Sequence, residues 1–552
     1  MSQPLAAQII SADAPTRGGS LVAWLLRQCE SLLDHANPIL VKEVRQALKS
    51  RQFLITFVIV LVACWGASFA VVAIVGPDVF YVASGPQMLL VYAIILSVPL
   101  TLIVPHTAFR SIAAEQEDNT YDLLSITSLT ARQIVTGKLG SAAAQMLVYL
   151  CAVSPCIAFT YLLRGVDTPS ILFLLVLFVL LSLGLSMIAL AAGTCAKAKH
   201  TQSLISILLI LFLAGVLIGT VSFCNVFVNE ALFDFVDSWF WLACVAILSF
   251  YVVGFAFFHA AATAQIAFRS ENRSTPLRKG MLALQGTFIG WMAILPFTEG
   301  FHPQACAISI LMTVLGSTLF WYVMGTLLTS EWPHLSRRVL RSLPTSTVGR
   351  VFLTWLNPGP HTGFVFAIAS LTAVDLAAAV LTNLVPVAGT LPRSEIINYT
   401  ISISWCYTVI FLGLGKLLIA AVRRFTFVQM SAGFLLHLVL MLLASGTPQI
   451  MVLMTPSLRM GDQFNFIQFS NPVSTLGTLV SSGPLAVDAN VLLMILLPLA
   501  AIVFLINLRS IGSDMRLEAR AMPERVLQDE AVLHPPQARG AQSPWDSQPA
   551  ES

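Results

Sequence analysis

Charge is what this chain of 552 residues has least of. Asp, Glu, Lys and Arg make up 10% of it, against about 25% in an ordinary soluble domain. Hydrophobic residues make up 57%, and the mean hydropathy is +0.82. So few charges cannot cover so much apolar surface in water, which excludes a soluble enzyme, a disordered scaffold and a nucleic-acid binder. The net charge of +3 points to no polyanionic partner once it is divided between two sides of a membrane. Motifs for metals and catalysis are also missing. None of the nine cysteines forms a CxxC. Cys64, Cys151, Cys156, Cys224, Cys244, Cys306 and Cys406 lie in or beside apolar runs and read as small packing residues. There is no HExxH. Gly137-Lys138 would need Gly at 132 and Ser or Thr at 139 to make a P-loop, but the chain has Arg132 and Leu139; Gly415-Lys416 fails likewise, with Ile410 and Leu417. No nucleotide-hydrolysing site is encoded. Residues 1–20 are polar and do not read as a secretory signal.

What the chain has in abundance is long apolar runs. A membrane-spanning helix needs about 20 mostly apolar residues, and twelve segments qualify: 53–75, 87–108, 142–163, 171–194, 203–224, 239–262, 281–297, 306–328, 364–385, 399–420, 425–445 and 491–508. The expected fold is therefore an all-α polytopic membrane protein. With the N-terminus inside, 27 of the 30 lysines and arginines fall in inner segments, and only Arg164, Arg393 and Arg459 fall outside. Cytoplasmic loops are enriched in these residues, and a missed or invented span would destroy the bias. Twelve spans with both termini cytoplasmic is the arrangement that satisfies it.

The expected organisation has four parts. Residues 1–36 form a cytoplasmic tail with an amphipathic stretch at 21–33 lying in the interface plane. Residues 37–262 and 263–508 form two six-helix halves, because the long outer loops precede the sixth and twelfth spans. Residues 509–552 form a cytoplasmic tail, a short helix and then a Pro-, Gln- and Ser-rich disordered end. The outer segment 448–490 is broken by Pro448, Pro456, Gly461, Pro472 and Gly483, and its apolar runs 450–454 and 473–480 read as short helices on or in the outer leaflet.

Polar groups inside the spans are few. Asp375 sits near the middle of the ninth, and Lys416 near the inner end of the tenth. Their depths differ by roughly 10 Å at 1.5 Å rise per residue, which rules against a tight pair. A buried acid marks an ion or substrate pathway by default; the structural reading is an aspartate hydrogen-bonded to neighbouring helices, and one acid in twelve spans favours that reading. His259 and His437 are single histidines on apolar helices and read as structural.

Two cytoplasmic stretches carry more information. In the first, Asn37 is a good N-cap and Pro38 a good first residue. Leu40, Val44, Ala47 and Leu48 make an apolar stripe, while Lys42, Arg45, Gln46 and Lys49 occupy other faces; Glu43 completes the sequence. This is a basic amphipathic helix feeding the first span. The second stretch follows the second span. Glu115, Glu117, Asp118 and Asp122 form an acidic cluster around Leu123, Leu124 and Ile126, with a short helix expected from Thr120. Thr130 and Gln133 have the spacing of a capping box, with Leu129 and Ile134 as a hydrophobic staple, so a new helix starts near Thr130 and runs through Lys138 into the third span. An apolar centre inside a charged rim is the anatomy of a protein-binding surface.

These stretches carry a family resemblance. The first reads NP-x-L-x-K-E, from Asn37, Pro38 and Leu40 to Lys42 and Glu43, with Arg45 following. The second is similar to E-x-E-x-G-T-x-E-L-L-x-x-T-P-L-x-x-x-x-I-x-x-G-K. Together they resemble ABC-2-type permeases of ABC transporters, and among these the components grouped with copper-enzyme maturation. The likeness covers roughly residues 37–262; beyond that only the topology agrees. Asn119 stands where the family has Gly, Asp122 where it has Glu, and Ser128 where it has Pro. The second-half cytoplasmic loop, 329–363, is basic and lacks the acidic motif.

The resemblance implies an elbow helix lying along the membrane and a coupling loop docked in a cleft of a separate ABC ATPase. It implies an exporter subunit of the cell (plasma or inner) membrane that is not itself an enzyme and binds no cofactor directly, ATP being used by the partner. The partners are then the ATPase and the lipid bilayer, with no nucleic acid; a fused pair of halves and a homodimer are both open. Two rival expectations stand beside it: an ion-coupled secondary transporter using Asp375, and a non-transporting membrane scaffold of the same fold.

Overall fold

The computed structural model describes residues 38–76, 84–117, 130–195, 199–229, 235–268, 271–298, 302–332, 354–384, 393–426, 428, 430–455 and 465–515. Among these the chain is all α, with fourteen helices and no strand. In chain order they are α1 (Pro38–Leu48), α2 (Arg51–Val75), α3 (Gly85–Glu117), α4 (Ala131–Leu162), α5 (Thr168–Cys195), α6 (Lys199–Asn229), α7 (Ser238–Ile266), α8 (Ser274–Ile294), α9 (Pro303–Thr329), α10 (Pro360–Leu384), α11 (Ser394–Val422), α12 (Met430–Met454), α13 (Pro472–Ser482) and α14 (Ala489–Met515). All except α1 and α13 are long and apolar enough to cross a bilayer. The protein is a multi-pass membrane protein with twelve spans, each matching an apolar run of the sequence. Cys64, Cys151, Cys156, Cys224, Cys244, Cys306 and Cys406 are free thiols.

Three of the spans begin where a short polar side chain serves an unpaired N–H group. Ser50 Oγ accepts from Phe53 N–H at the start of α2, Asp167 from Ser170 N–H at α5, and Asp237 from Trp239 N–H at α7. Several helices outrun the apolar runs that announced them. α3 continues to Glu117, passing through a π-helical turn at Pro99–Ile103 where proline removes an N–H from the ladder. α12 continues through Pro448 to Met454, so the run 450–454 belongs to this span instead of forming a separate outer helix. The carbonyl that Pro448 leaves without its helical partner is that of Ala444, and Ser470 Oγ–H donates to it at 3.2 Å. Beside it Asn471 Nδ2–H donates to Ser445 O. The run 473–480 does form its own helix, α13, capped by Asn471.

The chain divides into two compact units. The first comprises residues 1–267 and 279–287, the second 268–278 and 288–552, so α8 contributes to both. In the first, hydroxyl pairs tie α2 to its neighbours: Thr56 Oγ1 lies 2.6 Å from Tyr149 Oη on α4, and Ser68 Oγ lies 2.6 Å from Tyr92 Oη on α3. In the second, α13 is held against α11 by Tyr407, whose hydroxyl donates to Phe469 O and reaches Thr475 Oγ1. Between apolar helices in lipid, such bonds and close packing replace the hydrophobic drive that water would supply.

The interfacial stretch 21–33, Asn37, Asp118, Thr120, Asp122, Leu123, Leu124, Leu129, Ile126 and the tail beyond Met515 lie outside the described residues.

Candidate functional site

The site is built where α1, the end of α3 and the start of α4 meet. α1 has the expected faces: Leu40, Val44, Ala47 and Leu48 are half-buried, Ile39 is buried, and Lys42, Arg45, Gln46 and Lys49 are exposed. Glu43 is the exception to that pattern. It lies four residues from both Ile39 and Ala47, which puts it on the apolar face.

Glu43 faces Lys138. Two turns into α4, Lys138 falls on the buried side with Ile134, Ala142 and Tyr149, and its side chain is 1% exposed. Its ammonium lies 3.0 Å from Glu43 Oε1, 3.0 Å from Glu115 Oε1 and 3.0 Å from Ser111 O. An ammonium has three N–H donors, and these three partners match them. Glu115 sits in the last turn of α3, where the negative end of the helix dipole opposes a carboxylate; the lysine offsets that opposition. One cation thus joins α1, the second span and the third. A buried cation without partners would cost several kcal/mol, so the carboxylates hold the lysine as firmly as it holds them.

Two local features aim α4 at this junction. Thr130 has extended backbone (φ −75°, ψ 149°), its Oγ1 accepts from Gln133 N–H, and Gln133 Oε1 accepts from Thr130 N–H at 2.9 Å, which is the capping box the sequence spells. Gly140 lets α1 approach: a Cβ there would sit 2.6 Å from Leu40 Cδ1.

The expected coupling residues therefore divide. Glu117 is exposed at the end of α3, and Thr130 and Gln133 form the opposite edge of the segment 118–129. Glu115 and Lys138 turn inward and pair with each other instead of standing on an outer rim. Two charges of opposite sign, one in the last turn of α3 and one two turns into α4, are brought together where these two helices pack. Of the elbow residues, Glu43 joins them, Leu40 packs on Gly140, and Lys42 and Arg45 face outward.

The second unit contains a comparable hub that sequence reading passed over, because Arg278 counted only as one more cytoplasmic charge. Arg278, in the second turn of α8, is completely buried. Its guanidinium donates to Glu331 Oε2 at 2.9 Å, to Thr362 Oγ1 at 3.2 Å, and to the carbonyls of Trp355 and Gly359. Glu331 also accepts from Gly359 N–H at 2.8 Å and from Ser274 Oγ–H at 2.6 Å. Like Lys138, this cation binds a carboxylate that ends one span and fixes the entry to another.

Asp375 does not meet expectation. It is buried, 4% exposed, but neither carboxyl oxygen has a hydrogen-bond partner among the described residues. The hydroxyls of Thr400, Ser404 and Thr408 on α11 are donated to carbonyls of their own helix, as serine and threonine do inside helices. Lys416 is remote from it, with Nζ 5.2 Å above the Phe364 ring. The two histidines are held by neighbours: His259 Nε2 lies 3.3 Å from Thr136 Oγ1, and His437 bonds through Nδ1 to Gly433 O at 3.0 Å.

No protein-family model, no curated protein and no solved structure matches this chain.

Proposed function

We propose that the chain is the membrane-spanning subunit of an ABC-2-type exporter in the cell membrane, driven by a separately encoded ABC ATPase that docks on the segment between α3 and α4. The observation that carries this reading is the Glu43–Lys138–Glu115 cluster. It joins the elbow helix to the elements on both sides of that segment. A push on residues 118–129 is then delivered to α1, α3 and α4 together, which is what a chain without its own nucleotide site needs in order to receive work from a partner. The segment itself carries Leu123, Leu124 and Ile126 among Asp118 and Asp122, an apolar centre with an acidic rim. ATP is bound and hydrolysed by the partner, and this chain supplies the path.

The test is purification in mild detergent, with partners identified by mass spectrometry. An ABC ATPase should co-purify. Leu124→Asp should lower its association roughly tenfold or more, since burying a leucine contributes about 1.5–3 kcal/mol and about 1.4 kcal/mol is a decade. Glu117→Ala, on the rim, should weaken it less and mainly at low salt. Undiminished association of Leu124→Asp, or purified chain that transports under an ion gradient without an ATPase, would overturn the reading.

A further inference from the structure

The second unit holds one feature that ATPase coupling does not use. Asp375 lies on α10 between Leu371 and Ala378, both buried. One turn towards the start of α10, Thr372 Oγ1 accepts from Trp405 Nε1–H of α11 at 2.8 Å. One turn the other way, Ala378 packs in an apolar cluster with Val314 of α9, Ile397 and Ile401 of α11, and Val480 of α13. The carboxyl is thus enclosed by three spans and covered at one end by a layer to which the outer helix α13 contributes.

No described cation reaches it. Lys416 and Arg278 sit over the rings of Phe364 and Phe366. Those rings precede Asp375 by eleven and nine residues, about 16 and 13 Å along the helix. Arg393, at the opposite end of α11, is exposed and forms no ion pair with it. The other ionisable groups on the packed helices bring no positive charge near it. Tyr407 is bonded to α13 and its preceding turn, and Tyr399 to Asn490. Cys306, Cys406 and Tyr322 carry no positive charge in any form, and Glu395 lies in the first turn of α11. His361 sits one residue into α10, fourteen before Asp375. Between Ala489 and Leu508, α14 has no ionisable residue. An ionised carboxylate in such a place lacks both donors and counter-charge, and this is the costliest way to bury one.

We propose that Asp375 is a proton-binding site: in the conformation described here it is a neutral carboxylic acid, and it gives its proton to water when α13 parts from α9–α11. The Oδ–H bond breaks, water takes the proton, and the carboxylate that remains is stabilised by the water that has entered. Closing reverses the exchange. This goes beyond ATPase docking and does not depend on it, because every group involved lies in the second unit.

The experiment uses the full-length chain alone, in lipid nanodiscs, without ATP or partner. Infrared difference spectra of wild type minus Asp375→Asn should show, at neutral pH, a carboxylic-acid carbonyl band that moves to lower frequency in D2O. Asp375→Asn, the neutral isostere, should melt at the wild-type temperature. Val480→Ser, which wets the covering layer, should lose the acid band at a pH lower by about one unit, a roughly tenfold weaker hold on the proton; Val480→Thr, the closer match in shape, serves if the serine variant does not fold. Carboxylate bands in place of the acid band at neutral pH, or a marked loss of stability in Asp375→Asn, would overturn the proton site. An acid band that titrates identically in wild type and the Val480 variant would overturn the role of α13. Neither outcome bears on whether an ATPase binds residues 118–129.

Discussion

Lys138 and Glu115 are 23 residues apart in the chain and 3.0 Å apart in space. Their pairing joins the end of α3 to the start of α4, and Glu43 at 3.0 Å from the same ammonium extends the joint to α1. The segment proposed to meet the ATPase therefore stands on a charged joint.

Removing the cation should damage that joint more than removing one anion. In Lys138→Met, Glu43 and Glu115 would lose the cation that stands between them. Breaking a buried pair costs about 3–5 kcal/mol; the carboxylates retain 12% and 18% exposure, which puts the expected loss near the lower end, about 3 kcal/mol. Thermal unfolding in detergent should show it. Adding Glu43→Gln and Glu115→Gln to Lys138→Met should recover most of the loss, and failure of the triple variant to recover would show that the lysine acts through packing alone.

The approach of α1 to α4 should be sensitive to size at Gly140. A Cβ there meets only the flexible tip of Leu40, so Gly140→Ala should be mild. Gly140→Leu should cost about 1–3 kcal/mol by overpacking and loosen the elbow helix, read as faster thiol labelling of a cysteine placed at Ile39. Leu40→Ala should relieve Gly140→Leu. Additive effects of the two changes would mean that they do not touch.

The Arg278 hub should require arginine itself. The guanidinium reaches Glu331, Thr362, Trp355 O and Gly359 O from one planar fork, a geometry that a lysine point charge cannot reproduce. Arg278→Lys should therefore lower the melting temperature nearly as much as Arg278→Met. Equal stability of Arg278→Lys and wild type would show that only the charge matters there.

Sidedness can be checked directly. In a background without native cysteines, Asn465→Cys should react with an impermeant thiol reagent in intact cells, and Arg338→Cys should react only after permeabilisation. The reverse pattern would invert the topology.

The number of spans, their all-α character and the amphipathic faces of α1 could be read from the sequence because each depends on local regularities: apolar run length, lysine and arginine bias, and helical periodicity. The cap at Thr130 was legible for the same reason, since its two hydrogen bonds are made within four residues. Even the inward turn of Glu43 had left a mark, a charge at four-residue spacing from Ile39 and Ala47 on an otherwise apolar stripe. In the sequence alone that charge reads as part of a motif, because the lysine it meets lies 95 residues further on.

Partnership was the part that sequence could not supply. Which carboxylate meets Lys138, why Arg278 is buried, how Ser470 serves the carbonyl that Pro448 leaves free, and why Asp375 finds no donor among the described residues all depend on contacts between residues distant in the chain. A helix's own pattern states which side faces inward; only its neighbours decide what waits there. In lipid this difference is sharpest, because a polar group on a buried face has no water to fall back on, and its meaning is set by the one or two side chains that the tertiary fold brings within 3 Å or withholds.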